Sequence, residues 1–296
     1  MGDSRAHIDQ DFIFPPFDDL CMEENGASST VQPPSDTILQ TSDDVSFYVH
    51  RTLLDSKSNN NFGGLLVYGV MCALRGARSL YMLEETASVL NIVLHILYGI
   101  SSRRYCPDIP VISQAFDMLI KYGCPLSTCV LSKSEIFVDL VSHASDPESD
   151  PLEMYTLAAS KGFEELAVPC SSFALRTPIS SIENDAAIAM GAIYLWRLVK
   201  LHNERRQTLK RLLLQPPRAH EDTTACDKER RNGVIRAYGL TAGYAALQPT
   251  VMVTGDWIGD VFEKMIQNVG CGLCRDDVRS KVQSIIACWA NAKRTI

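Results

Sequence analysis

The sequence predicts an α+β fold, a small sheet with a helical cluster, followed by an all-α C-terminal region. Two short β-type runs, Thr37–Thr41 and Val45–Val49, flank Ser42-Asp43-Asp44, a turn of hairpin length. Helix-period apolar patterns then take over, and after residue 130 every periodic segment reads as helix. An apolar content of 46% in 296 residues is enough for a sizeable core and for two domains.

The first 32 residues carry seven acids against one base, Arg5, and read as a disordered acidic arm. Within it Asp11–Phe17 is an aromatic island. After the hairpin, His50-Arg51-Thr52-Leu53-Leu54 leads into a helix, and Asn59–Gly64 is a loop by composition. Leu65–Val70 is ambiguous between helix and strand, and Arg78–Leu83 is a short strand. Glu84–Tyr98 is a helix with Leu90, Val93, Leu94 and Leu97 on its apolar face. Pro110–Tyr122 is a second helix, which Gly123 is placed to stop in a left-handed turn.

Asp150-Pro151-Leu152-Glu153 combines an N-cap, a first-turn proline and a Glu at the third helical position, and opens a helix that Gly162 ends. Phe163–Leu175 follows as its partner. Ser180-x-x-Glu183 is a second capping-box pattern, opening a long helix that persists to Gln215, where Pro216-Pro217 forbids continuation. Its polar stretch 202–208 suggests that the helix projects there from the bundle. A polar loop over 216–233 precedes helices near Val234–Leu247, Trp257–Val269 and Asp276–Lys293, the last with Val278, Val282, Ile285 and Trp289 on one stripe.

Three groups of residues stand out chemically. Asp36 enters the first strand and Arg51 follows the second, so the two can meet across the hairpin end; His50 is read as a packed, hydrogen-bonded histidine and not an acid–base catalyst, since no nucleophile pattern accompanies it. Cys271-x-x-Cys274 is read as structural thiols near a helix start, ahead of a zinc site and, last, a redox pair. Zinc needs four ligands, and Cys226, Cys288, His202 and His220 are the available extras; Cys226, Cys271, Cys274 and His202 form one conceivable Cys3His set. Arg197, Lys200, Arg205, Arg206, Lys210 and Arg211 make a basic run that does not fall on one stripe, so a solvated helix segment is favoured over a nucleic-acid contact.

No dinucleotide fingerprint, phosphate loop, nucleophile elbow or zinc-protease motif is present, so no catalytic residue is assigned. The net charge of −7 argues against a whole-protein nucleic-acid or membrane-surface role. Ten cysteines without a secretory pattern are expected to be reduced thiols in the cytosol or nucleus. No apolar run reaches the roughly 18 residues a bilayer span needs.

The hairpin with Asp36, Phe47, His50-Arg51 and Leu53-Leu54 resembles the opening of the BTB/POZ domain. Glu84, Leu90, Leu97-Tyr98 and Lys121-Tyr122 are similar to later landmarks of that domain. Pro151–Gly162, Met190–Leu195, Leu201-His202, Leu212–Leu214 with Pro216-Pro217, Cys271-x-x-Cys274 and Trp289 with Lys293–Ile296 resemble the large BTB families of mushroom-forming fungi. The resemblance implies a BTB/POZ domain over 33–124, a helical extension over 130–178 and a helical C-terminal domain over 179–296. It implies a non-catalytic protein-interaction role, with protein partners, a homodimer or a cullin-type ubiquitin-ligase scaffold among them, and no resident cofactor. It also implies that Asp36 and Arg51 form a partly buried charged pair. The chain departs from the family at Asp43-Asp44, where Asp-Gly is usual, and over Lys57–Gly64, where dimer and partner contacts are supplied in many BTB domains. A transcription-associated BTB protein with a nucleic-acid-contacting basic helix is the runner-up, and a zinc-dependent enzyme the third reading.

Overall fold

The computed structural model describes residues 35–67, 70–71 and 79–296. The acidic arm of 1–32 with its aromatic island, and the end of the Leu65–Leu74 run, lie outside the described residues. The chain divides into two compact units with the boundary between Leu140 and Val141. The described secondary structure is α+β and mainly helical. No helix among the described residues is long and apolar enough to cross a membrane.

In the first unit the hairpin forms as expected. Strands β1 (Thr37–Gln40) and β2 (Ser46–Val49) pair antiparallel, Thr37 opposite Val49. Asp44 takes a left-handed φ of 62°, a conformation Asp tolerates better than most residues. Helix α1 (Arg51–Lys57) follows, then β3 (Val70–Met71) and β4 (Ser79–Met82). The sheet order is β2-β1-β4-β3, with β4 parallel to β1 and antiparallel to β3. Thr37, Ile38 and Leu39 are all buried, so the central strand is covered on both faces.

Helices α2 (Ala87–Tyr98) and α3 (Ile109–Lys121) pack together. α2 is buried almost all round, a wider contact than the single apolar face its periodicity suggests. Its first N–H, at Ala87, is taken by the Asp43 carboxylate at 3.0 and 3.2 Å, so the departing turn residue ties the hairpin to α2. α3 ends at Gly123 in the left-handed conformation, its Cys124 N–H reaching back to the Leu119 carbonyl.

The Asn-Gly loop is ordered. Asn61, Phe62, Gly63 and Gly64 all have positive φ, and the turn clasps the end of α3. Asn59 N–H donates to the Gly123 carbonyl, Ser58 Oγ donates to the Tyr122 carbonyl at 2.7 Å, and Phe62 stacks on Tyr122 with centroids 4.5 Å apart. Short helices α4 (Leu126–Cys129) and α5 (Glu135–Ser145) complete the passage to the second unit.

The second unit is all helical: α6 (Glu153–Ser160), α7 (Glu164–Ala174), α8 (Asn184–Leu213), α9 (Lys228–Leu247), α10 (Gly255–Ile266) and α11 (Gly272–Ala290). α8 differs from its expectation in three ways. It starts after Glu183, which is itself the N-cap residue, so Ser180 does not cap it. It breaks at Gly191, whose φ of 72° and ψ of 163° only glycine adopts at low cost. It also does not project at 202–208: Leu201, Arg205, Leu209 and Leu213 are buried. Arg205 lies over the Trp289 ring at 4.4 Å and donates from Nη1 to the carbonyls of Ala292 and Lys293. The polar loop ends six residues early, because Asp227 caps α9 by accepting from Arg230 N–H.

The expected stripe of α11 is realised, with Val278, Val282, Ile285 and Trp289 packed against Tyr238, Ile258 and Phe262. Trp289 Nε1–H donates to the Val253 carbonyl at 2.7 Å. α11 begins at Gly272, not near 276, so Cys271 becomes its N-cap residue and Cys274 lies in its first turn.

Candidate metal centre

Two stretches bring four donors together in the second unit. Cys271 and Cys274, three residues apart at the start of α11, point to the same side of its first turn. His220 and Cys226 come from the segment between α8 and α9. Cys226 is presented by a tight turn in which Thr223 and Cys226 exchange both main-chain hydrogen bonds. His220 is anchored by its N–H donating to Asp277 Oδ2 on α11 at 3.2 Å.

The donor atoms of His220, Cys226, Cys271 and Cys274 all lie within 4.8 Å of one another, and the set can hold a metal ion. His220 Nε2 is 3.2 Å from Cys274 Sγ and 3.5 Å from Cys271 Sγ, and the Cys226 and Cys274 sulfurs are 3.7 Å apart. A tetrahedral ion with bonds of about 2.3 Å to sulfur and about 2.0 Å to nitrogen would separate its ligands by about 3.8 Å (S to S) and about 3.5 Å (S to N). His220 Nδ1–H donates to the Glu221 carbonyl at 2.6 Å, which leaves the Nε2 lone pair facing the three sulfurs.

Cys226 and Cys274 are buried, and Cys271 and His220 half-buried, with Val269 and, at the edge, Val234 and Met265 against the sulfurs. The main-chain N–H of Cys274 holds the Cys271 thiol down at about 7, while burial pushes Cys274 up to about 12, so thiolate character concentrates at the helix N-cap. Arg231 acts on both Cys226 and His220, pairs with Asp222, and keeps Nη1 buried without a hydrogen-bond partner. All eight described cysteines are free.

His202 is not part of this set. It sits on α8 beside a separate cavity lined by Val199, Arg206 and Leu247, its Nε2 buried without a partner and its basicity lowered by burial and then by Arg205. The fourth donor is His220, which shares the 216–227 segment with Cys226; that proximity in sequence was the available signal. Cys288 is exposed and outside the cluster.

The hairpin residues gather in the first unit. Asp36 and Arg51 do meet, but through Arg51's main-chain N–H, which donates to Asp36 Oδ1 at 2.8 Å. The Arg51 guanidinium instead donates to the Leu66 carbonyl at 2.8 Å and pairs with Asp55 at 3.5 Å. The charged pair is thus a helix-start contact, because α1 begins at Arg51 and leaves that N–H free. His50 is buried and hydrogen-bonded, its Nδ1 2.9 Å from Tyr98 Oη, which also accepts the His50 N–H at 3.2 Å. Phe47 and Leu54 are core residues.

Compared with protein-family models, curated proteins and solved structures, the chain matches none.

Proposed function

We propose that the chain is a non-catalytic protein-interaction protein, built on a BTB/POZ-type domain over residues 33–124 and carrying a helical C-terminal region stabilised by structural zinc. The observation that supports the interaction reading is the first unit's arrangement. A buried hairpin hands its chain through His50-Arg51 into α1, β4 returns parallel to β1, and α2 and α3 pack together behind. The Asp36, His50, Arg51 and Tyr98 contacts lock the same junction on which the family resemblance rests. The four-donor set supports a structural ion: three thiols and an imidazole close the coordination of zinc and leave no position for an activated water.

The basic run does not favour the nucleic-acid runner-up. Arg197 forms a bidentate contact with Glu164 at 2.7 and 2.6 Å, and Arg205 is buried on Trp289, so two of its cations serve packing. Free thiols at the eight described cysteines fit a reducing compartment, the cytosol or nucleus.

The test is association of the full chain. Light scattering after gel filtration reports whether it dimerises, and co-precipitation with a cullin-type scaffold reports adaptor capture. A dimer or stoichiometric capture supports the interaction reading; a monomer that captures neither a cullin nor another defined partner sinks it.

A further inference from the structure

Resting on the zinc reading above, we infer that the centre is a folding staple: zinc orders the 216–227 segment by tying His220 and Cys226 to the first turn of α11. The reason lies in what that segment lacks. From Pro216 to Asp227 there is no helix, the only ladder is the Thr223–Cys226 bridge, and the only buried side chains are Pro217 and Cys226. Twelve residues that bury two side chains cannot offset the ordering entropy of their own backbone, roughly 1–2 kcal/mol per residue. Yet the segment is threaded so that an imidazole and a thiol, six residues apart, reach the same point over α11.

The residues around the centre match a resident ion. The Cys226–Cys274 separation of 3.7 Å and the His220–Cys271 separation of 3.5 Å are close to the edges of a zinc tetrahedron, the His220–Cys274 separation of 3.2 Å is shorter, and all four donors lie within 4.8 Å of one another. Sulfur-rich donors select zinc over magnesium or calcium, which take oxygen ligands. His220 has its outer nitrogen committed to the Glu221 carbonyl, the kind of hydrogen bond that orients a metal-bound imidazole. Zinc with three thiolates and a neutral imidazole carries one negative charge, and Arg231, half-buried with a free Nη1, supplies the neighbouring positive charge.

The experiment uses the full chain purified without added metal. Elemental analysis is expected to give one zinc per chain, and cobalt(II) substitution to give the thiolate-to-cobalt absorption and intense visible bands of a tetrahedral site. Hydrogen exchange is then compared before chelation, after chelation and after zinc is restored. Amides of residues 218–231 and of the start of α11 are expected to lose protection on stripping and regain it on restoration, while the β1–β2 hairpin keeps its protection. Cys226→Ser is expected to lower zinc affinity at least tenfold, and Cys288→Ser to leave it unchanged. Should Cys226→Ser fail to fold, the strip-and-restore exchange on the unaltered chain decides. Zinc present with 218–231 equally protected with and without it overturns the staple and leaves the zinc reading standing. No zinc or cobalt bound overturns both.

Discussion

At the residue scale, the chemistry of the hairpin end rests on hydrogen bonds to main-chain groups. Asp36 was expected to face a guanidinium and instead takes a helix-start N–H. His50 and Tyr98 are 48 positions apart and meet twice, through the imidazole and through the main chain. The Tyr98 hydroxyl therefore holds the end of β2 to the last turn of α2. Tyr98→Phe is expected to destabilise the protein by about 1–3 kcal/mol, since it removes the hydroxyl and leaves a buried His50 N–H without that acceptor. A shift in the urea midpoint measures it, and a midpoint equal to that of the parent chain would contradict the role given to this hydroxyl. The Asp36–Arg51 proximity was legible because the hairpin brings strand ends together. Which atoms meet was not, because that depends on where α1 starts.

At the element scale, α8 carries the clearest departure from its sequence pattern. Apolar and polar residues run on helically from 184 to 213, yet the backbone breaks at Gly191. A Cβ placed there meets no atom within 4 Å, so the cost of a side chain is conformational alone. Gly191→Ala is expected to destabilise by about 1–3 kcal/mol, the cost of holding a non-glycine residue in that region. Denaturant unfolding checks this; an unchanged or raised stability would mean that the two halves straighten into one helix without loss. The Asn-Gly loop is the converse case. Its composition reads only as a loop, but Phe62 is fully buried against Tyr122 and four successive positive-φ residues wrap the end of α3. Composition registers the absence of a helix; the partner that orders the turn lies some sixty residues further on.

At the scale of the whole molecule, the buried His95 in the first unit and the half-buried His202 in the second both favour loss of stability in acid. Burial lowers the basicity of His95, whose Nδ1–H donates to the Asn91 carbonyl at 2.7 Å, and lowers that of His202 as well. The unfolded chain therefore takes up protons first, near pH 6.5, and stability is lost as pH falls below that value. Urea midpoints are expected to be level above about pH 7 and to drop as pH falls below about 6.5. His95→Gln should flatten part of that slope, which separates it from protonation of the His220–cysteine cluster. A midpoint that rises on acidification would refute the assignment.

The elements themselves were readable from the sequence: the hairpin, α2, α3 with its Gly123 stop, and the apolar stripe of α11. Each depends on neighbours a few residues away, through periodicity, caps and turn chemistry. The pair Cys271 and Cys274 was readable for the same reason. What only the tertiary structure decided was the fourth donor of the candidate cluster, His220 in place of His202, and the burial of one cation of the basic run, Arg205, as a core contact. The donors meet across 48 to 54 residues of chain, and the packing of α8, α9 and α11 selects which histidine arrives. The six-residue spacing of His220 and Cys226 hints at that choice, but local patterns do not settle it, because it depends on distances between elements and not on spacing within them.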